Sequence, residues 1–518
     1  MKFVPLAIAL ALAACNAAPA PAPKPTEIVL TGEITRADHQ TYREIPFEVP
    51  AGTGHIAVDF SYTGKDQRTV IDIGLRDPDG QRGWSGGNKS HFEISEFSAT
   101  PSYATGPLKP GTWHLVLGIP NIRDGQTANY TATIRLGPAD GAGHAVELAD
   151  LSQALTTAPG WRRGDFHVHT AHSDGSCDQG ETRGPCPAVV SFEAAKAAGL
   201  DFVAITDHNT ITQLRDIRAQ QHAFPATLLI PGTEITTFFG HANAIGNTGF
   251  LDFQLGSPRL PTLAKLFDQV DAAQGFISVN HPSLPSGEVC MGCGWTAKDT
   301  DWSRVTAIEI VNGSTLRTGG AESPLGGIKF WESLLNQGHR ITAIGGSDNH
   351  DATDTTGAKQ SPIGKPATVV YATELSTKGI VAGVKSGRVF IDVAGLPDAR
   401  LEVTGIVGGS FIEIDGPLGG KVLKANAEQQ ALMGGDLRLG AGDSATIVAA
   451  GTRLPPDSTT EAVSYGVTAY RIEVAGLPYP AYSMTLNDGA AFGWFRVNVR
   501  GADGKLLLIG NPIYVRRE

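Results

Sequence analysis

Histidines and carboxylates recur in a fixed order across the middle of the chain: His167-Val168-His169, Ser173-Asp174-Gly175, Asp207-His208-Asn209, Gly232-Thr233-Glu234, Gly240-His241, Asn280-His281-Pro282 and Ser347-Asp348-Asn349-His350. Imidazole nitrogens and carboxylate oxygens of this kind ligate first-row divalent ions. The set is longer than the four ligands that close a structural site, so its chemistry is that of a multinuclear metallohydrolase. His167 and His169 flank one residue in a β-like segment, which turns both rings to one face. Asp348 and His350 repeat the spacing, with Asn349 expected to point away. Of the chain's 14 histidines, none follows His350, so the middle of the chain has collected them. His172, His222 and His339 fall outside the pattern and are read as surface or supporting residues. Glu309, in Ala307 to Val311, stays off the ligand set: an inward Glu would orient a ligand histidine, and a structural role fits equally well.

Most of these clusters directly follow a short β-branched run: Asp201 to Thr206, Leu228 to Ile230, Phe276 to Val279 and Ile341 to Ile344. Between the runs, Val189 to Ala198, Leu214 to His222, Leu263 to Gln274, Lys329 to Gln337 and Thr377 to Lys385 carry apolar residues at helical spacing. Strand and helix therefore alternate, and a barrel of such units brings strand-end side chains to one rim.

The alternation occupies residues 160–394 of 518. Before it, residues 26–140 show short β-rich runs between Gly, Pro and Asp turns, which predicts an all-β sandwich. After it, residues 395–518 return to a β-rich pattern, in runs such as Ala445 to Ala449 and Tyr470 to Val474. Residues 1–15 read as a signal peptide, with Lys2, an apolar core and Leu12-Ala13-Ala14-Cys15 at its end. That last tetrad resembles the bacterial lipobox, which implies lipid on Cys15, an Ala/Pro tether over 16–25, and a place in the cell envelope facing the periplasm, on the outer membrane. Export favours pairing of the other cysteines, 177, 186, 290 and 293, as local disulfides pinning rim loops. A net charge of −11 with no run of Lys or Arg argues against a nucleic-acid partner without excluding a small-molecule phosphoester substrate, and lipidated Cys15 is the expected membrane contact.

At these residues the chain resembles the PHP metallohydrolase family, and residues 161 to 392 look most like its exported carbaryl hydrolase-like branch (CehA/McbA type). The resemblance is carried by Arg163-Gly164-Asp165-Phe166-His167-Val168-His169, Thr206-Asp207-His208-Asn209, Pro231-Gly232-Thr233-Glu234, Gly240-His241, Asn280-His281-Pro282 and Gly346-Ser347-Asp348-Asn349-His350, with similar flanks at Gly83 to Gly87, Gly111 to His114 and Gly510 to Tyr514. It implies an α/β fold, a distorted (βα)7 barrel between the two β modules, holding two or three divalent ions such as Zn, Mn or Fe. It further implies that His167, His169, Glu234 and Asp348 hold a first ion, that Glu234 bridges to a second held by His241 and His281, and that Asp348 bridges toward a third site of Asp174, His208 and His350. Ions sharing Glu234 would share a hydroxide nucleophile, with the third ion, or His208 and His350, stabilising or protonating the leaving oxygen. The expected activity is phosphoester hydrolysis, of diesters first. Carbamate or carboxylic ester hydrolysis is the alternative, and a non-catalytic metal- or glycan-binding lipoprotein the third.

Overall fold

The computed structural model describes residues 26–138, 147–415, 421–440, 442–474 and 477–518, so the expected signal peptide, Cys15 and tether lie outside the described residues. Two four-stranded antiparallel sheets form the N-terminal module. One orders Thr26–Thr35, Thr127–Gly137, His55–Tyr62 and His91–Ser95; the other orders Thr41–Val49, Gly111–Asn121, Val70–Asp77 and Gly80–Gly86. Alternate residues of Thr127–Gly137 are buried, as expected for a sheet with one wet face. Their inward faces meet in one core that includes Ile56, Phe92, Trp113, Leu115 and Ile134, which makes this module a sandwich.

In the central region the four-residue strands Phe202–Ile205 and Phe276–Val279 are fully buried and apolar except for Ser278, which is why they stand out in the sequence. All five expected helices form, at Ala188–Ala197, Leu214–Gln220, Leu263–Ala272, Ile328–Leu335 and Thr377–Ser386. A sixth, Gly313–Gly319, was not expected: its Gly/Ser/Thr-rich sequence has no apolar period, and Asn312 caps it by accepting from the Ser314 N–H at 2.8 Å.

The sheet path departs from the expected alternation. It runs Thr342–Gly346, Ala307–Asn312, Phe276–Val279, Gly240–Ile245, Leu228–Thr237, Phe202–Ile205, Gly160–Asp165, Ala367–Ala372 and Val389–Asp392. Gly240–Ile245 is antiparallel to both neighbours, so Leu228 to Ile245 is a hairpin rather than a strand-helix-strand unit. The expected seven-stranded barrel is not shown as a continuous ladder, since Ala367–Ala372 pairs antiparallel with Gly160–Asp165. The two ends meet instead through one parallel bridge, Val168 to Asn349. The fold is thus mixed α/β and rich in strands.

Val389–Asp392 pairs with Leu506–Gly510, so the sheet continues into the C-terminal module. There a five-stranded sheet, including Arg400–Asp415 and Ser444–Thr452, packs on Phe492–Arg500 and Ile513–Arg517 over Leu401, Val403, Ile447, Phe495, Val497 and Ile513. The N-terminal sandwich also docks on the centre. Tyr42 stacks on Phe238 with ring centroids 4.8 Å apart, and Trp84 lies 4.8 Å from Phe253.

Candidate metal centre

Each chemistry-bearing segment stands at the same end of the central sheet. His167, His169 and Asp174 follow Gly160–Asp165; His208 follows Phe202–Ile205; His281 follows Phe276–Val279; Asp348 and His350 follow Thr342–Gly346. Glu234 lies within Leu228–Thr237, and His241 opens the antiparallel strand opposite Thr236, which returns it to that end. Buried Asp165 ties these segments together by accepting from the N–H groups of His167, Ser347 and Gly364 at 3.0, 3.0 and 2.7 Å. Asp348 takes a left-handed backbone (φ 53°) and donates its N–H to the His167 carbonyl at 2.9 Å. Gly346 is required beside it, since a Cβ there would come within 2.6 Å of the His167 Cβ and 2.9 Å of Glu309 Oε2.

The structure brings all nine expected residues together. His167 Nε2 lies 3.3 Å from Glu234 Oε1 and 3.3 Å from Asp348 Oδ1. His169 Nε2 lies 3.4 Å from Glu234 Oε2 and 3.2 Å from Asp348 Oδ1. Glu234 Oε1 also faces His241 Nδ1 at 3.3 Å and His281 Nε2 at 3.5 Å, and Glu234 Oε2 faces His208 Nδ1 at 2.9 Å. Asp174 Oδ1 is 3.3 Å from His350 Nε2 and 3.8 Å from His208 Nε2. Three groups have ligand atoms within 4.8 Å of one another: His167, His169 and Asp348; His167, Glu234 and His281; and His169, Asp174, His208 and His350. His169 thus stands between the first and third sets, and His241 touches the second through Glu234.

Supporting contacts aim these rings. Glu309, left open by the sequence, turns inward to meet His167 Nδ1 at 2.6 Å, while Asn312 Nδ2 holds its other oxygen at 2.6 Å. His281 Nδ1 donates to the Cys293 carbonyl at 2.7 Å and His241 Nε2 to the Met291 carbonyl at 3.3 Å. The Cys290–Cys293 disulfide therefore pins the loop that orients both histidines, and Cys177–Cys186 staples the hairpin after Asp174. Asp207 accepts from Thr170 N–H, Thr170 Oγ1 and Ser173 Oγ at 2.7 to 2.8 Å, a structural task. Asn349 points away, donating to Ser361 and Asp351 carbonyls, and His172 is engaged by Thr212 and Asp216.

The electrostatics call for cations. Burial opposes charge on His350 and His208, yet neighbouring carboxylates carry them up to about 10 and about 9. Burial, with His350 and His208 nearby, pushes His169 down to about 4. Burial would raise Glu234, Asp348 and Asp174, but the surrounding imidazoles hold all three well below the usual carboxylate range. Four buried atoms at the centre, His167 Nε2, His169 Nε2, Asp174 Oδ1 and Glu234 Oε2, have no hydrogen-bond partner. Buried polar atoms of this kind are costly unless another group satisfies them. Divalent ions fit, because each orphan is a lone pair of a known ligand type and all face one another.

The His167, Glu234 and His281 set is sealed, whereas His208, His350 and Asp174 keep side-chain exposures of 24, 25 and 38 %. That side opens into a cavity of about 470 Å³ lined by Asp174, His208 and His241 from the centre and by Tyr42, Asp72, Trp84 and Asn88 from the sandwich. None of its lining residues is Lys or Arg.

No family model and no curated protein matches the chain. Among solved structures, it is similar to a two-domain protein of Bacteroides vulgatus described as containing a predicted PHP-like metal-dependent phosphoesterase, at 17% identity over 73% of this chain and 100% of that one, with a TM-score of 0.36. It is also similar to a protein of Bifidobacterium adolescentis described as a candidate metal-dependent phosphoesterase, at 16% identity over 38% of this chain and 92% of that one, with a TM-score of 0.26.

Proposed function

We propose that the chain is a metal-dependent hydrolase of the PHP kind, its central sheet a distorted relative of the PHP barrel, and that it cleaves phosphodiesters. The reading rests on the four orphaned ligand atoms, which sit among six histidines and three carboxylates beside an open cavity. His167, His169, Glu234 and Asp348 would hold one ion, Glu234, His241 and His281 a second, and Asp174, His208 and His350 a third. Such ions, when bound, lower the pKa of water and polarise the ester oxygen.

The chain's own residues supply the rest. Glu309, Asn280 and the Cys290 to Cys293 loop hold the ligand rings and Glu234 in register. His208, which lines the cavity, and partly exposed His350 beside it would give a proton to the leaving oxygen where the third ion is not held. The third donor set favours phosphorus, since a phosphoryl centre spreads charge over several oxygens.

One observation favours the alternative: with Asp72, Asp174 and Glu288 but no Lys or Arg lining the cavity, an uncharged carbamate or carboxylic ester would enter with less electrostatic repulsion than a phosphodiester anion. A panel of p-nitrophenyl phosphodiester, phosphomonoester, acetate and carbamate, run with protein lacking residues 1–25 and defined metals, separates the two. Higher kcat/KM on a carbamate than on every phosphodiester would install the alternative. With Cys15 as a lipid anchor, the enzyme would face the periplasm, and mass spectrometry of the mature N-terminus tests that placement.

A further inference from the structure

We infer that the N-terminal sandwich provides a hydroxyl-recognising subsite, centred on Asp72, for the organic group of the ester. The inference rests on the hydrolase reading above and narrows its substrate class. Asp72 lies in Val70–Asp77 between Ile71 and Ile73, both buried in the sandwich core, so strand alternation turns it to the other face. A register shift between Val70 and Asp72 marks the same place. That face is the wall of the catalytic cavity, where Asp72 stands with Asp174, His208 and His241.

Among the described residues, the Asp72 side chain makes no hydrogen bond and no ion pair, whereas several other carboxylates of the sandwich are paired, among them Asp38 with Arg43, Asp77 with Arg82 and Asp59 with Arg135. The backbone makes room for it. A Cβ on Gly87 would sit 3.1 Å from Asp72 Oδ1, so a side chain there would crowd the carboxylate. Burial pushes Asp72 up to about 7, although His208 opposes the rise. Its free oxygens offer hydrogen-bond acceptors to the cavity.

Two neighbours define what it would hold. Trp84 lines the cavity, and its Nε1–H has no partner among the described residues. Tyr42, stacked on Phe238, supplies an aromatic wall. An acceptor, an N–H donor and an aromatic surface together suit a hydroxyl-bearing group such as a polyol or sugar, since a hydroxyl both donates and accepts. A quaternary or primary ammonium offers nothing to the Trp84 donor and would lie next to bound cations. A second anionic group finds no Lys or Arg in the wall.

The subsite is held in place relative to the metal ligands. Asn88 Nδ2 and Lys89 Nζ donate to the Ser173 carbonyl at 2.8 and 2.9 Å, Lys89 also reaches the Ala171 carbonyl at 3.2 Å, and Ser102 Oγ reaches the His172 carbonyl at 2.6 Å. Three sandwich residues thus clamp the loop that ends in Asp174.

The test compares p-nitrophenyl 2,3-dihydroxypropyl phosphate with p-nitrophenyl propyl phosphate on the metal-loaded enzyme. Wild type should prefer the dihydroxypropyl ester by about 10-fold or more in kcat/KM, because a site built to bond a hydroxyl rejects the analogue lacking it. In Asp72→Ala that ratio should fall toward one; Asp72→Asn, which keeps the shape and an acceptor, should fall between. Binding of dihydroxypropyl and propyl methylphosphonates, read by calorimetry, gives the same ratio without turnover. A binding preference lost in Asp72→Ala, in a protein that cleaves no phosphodiester, would overturn the proposed reaction and keep the subsite. Equal treatment of the two esters and the two phosphonates, a preference surviving in Asp72→Ala, or stronger selection of a trimethylammonioethyl ester would overturn the subsite.

Discussion

Replacing Glu309 by Gln removes one charge from beneath the first metal position and almost no volume. The Glu309 carboxylate meets His167 Nδ1 at 2.6 Å and takes the Asn312 amide at 2.6 Å, with His167 fully buried and Glu309 2 % exposed. A Gln that turns its carbonyl to His167 sets its own NH₂ against that of Asn312. The reverse rotamer sets NH₂ against Nδ1 and drives the imidazole proton onto Nε2, the ligand atom. Either way one buried charged hydrogen bond is lost, worth about 1.5–3 kcal/mol. At about 1.4 kcal/mol per decade this is a ~10- to ~100-fold weaker ion at His167, in the range seen when an outer partner of a ligand histidine is removed. Chelator-buffered Mn or Zn titration with elemental analysis reads the affinity, and kcat at saturating metal should recover more than the apparent metal constant does. An apparent constant within about threefold of wild type, a difference under ~0.7 kcal/mol, would refute the orienting role.

Lys89→Met removes the cation that holds the Ser173 carbonyl, so bound metal should fall by the ion at Asp174, His208 and His350 while the inner ions stay; unchanged elemental stoichiometry would count against the clamp. In the metal-free chain, His208 and His350 are raised to about 9 and about 10, so their contribution to stability is complete below the unfolded value of about 6.5 and is lost as pH rises through the folded values. Thermal melts should therefore show the metal-free Tm falling between about pH 7 and pH 10, and a flat or rising Tm would remove the basis for this expectation. Cys290→Ser with Cys293→Ser frees the loop whose carbonyls orient His241 and His281, and metal binding should weaken by about 10-fold or more at one position, measured by competition with a chelator.

Much of the site was legible because the chemistry is local to strand ends. A short strand buried on both faces is predominantly apolar, so Phe202–Ile205 and Phe276–Val279 announce themselves, and the polar residues beyond them lie at the rim. The sheet path was not legible. Gly240–Ile245 is buried throughout despite His241 and Asn243, and only its three-dimensional partners show that it runs backwards. Ala367–Ala372 pairs with Gly160–Asp165 from some two hundred residues away, and no periodicity encodes such pairings. Glu309 was visible only as an ambiguous strand residue, because what decides its role is the distance to His167 across the sheet.

Asp72, Asn88 and Lys89 carried no sequence signal, since nothing in a sandwich strand or turn says that its outer face meets another module's ligands. Their placement divides the labour of the molecule. The inner ligands His167, His169 and Glu234 have fully buried side chains, packed by the central region's own segments. Asp174, His208 and His350 remain open, and the sandwich both braces them and forms the wall in front of them. Changes in the central region should therefore act first on metal content, while changes on the Tyr42, Asp72 and Trp84 wall should act on which ester is accepted. An Asp72→Ala chain that retains its full metal complement yet loses its preference among esters would show the two functions to be separable.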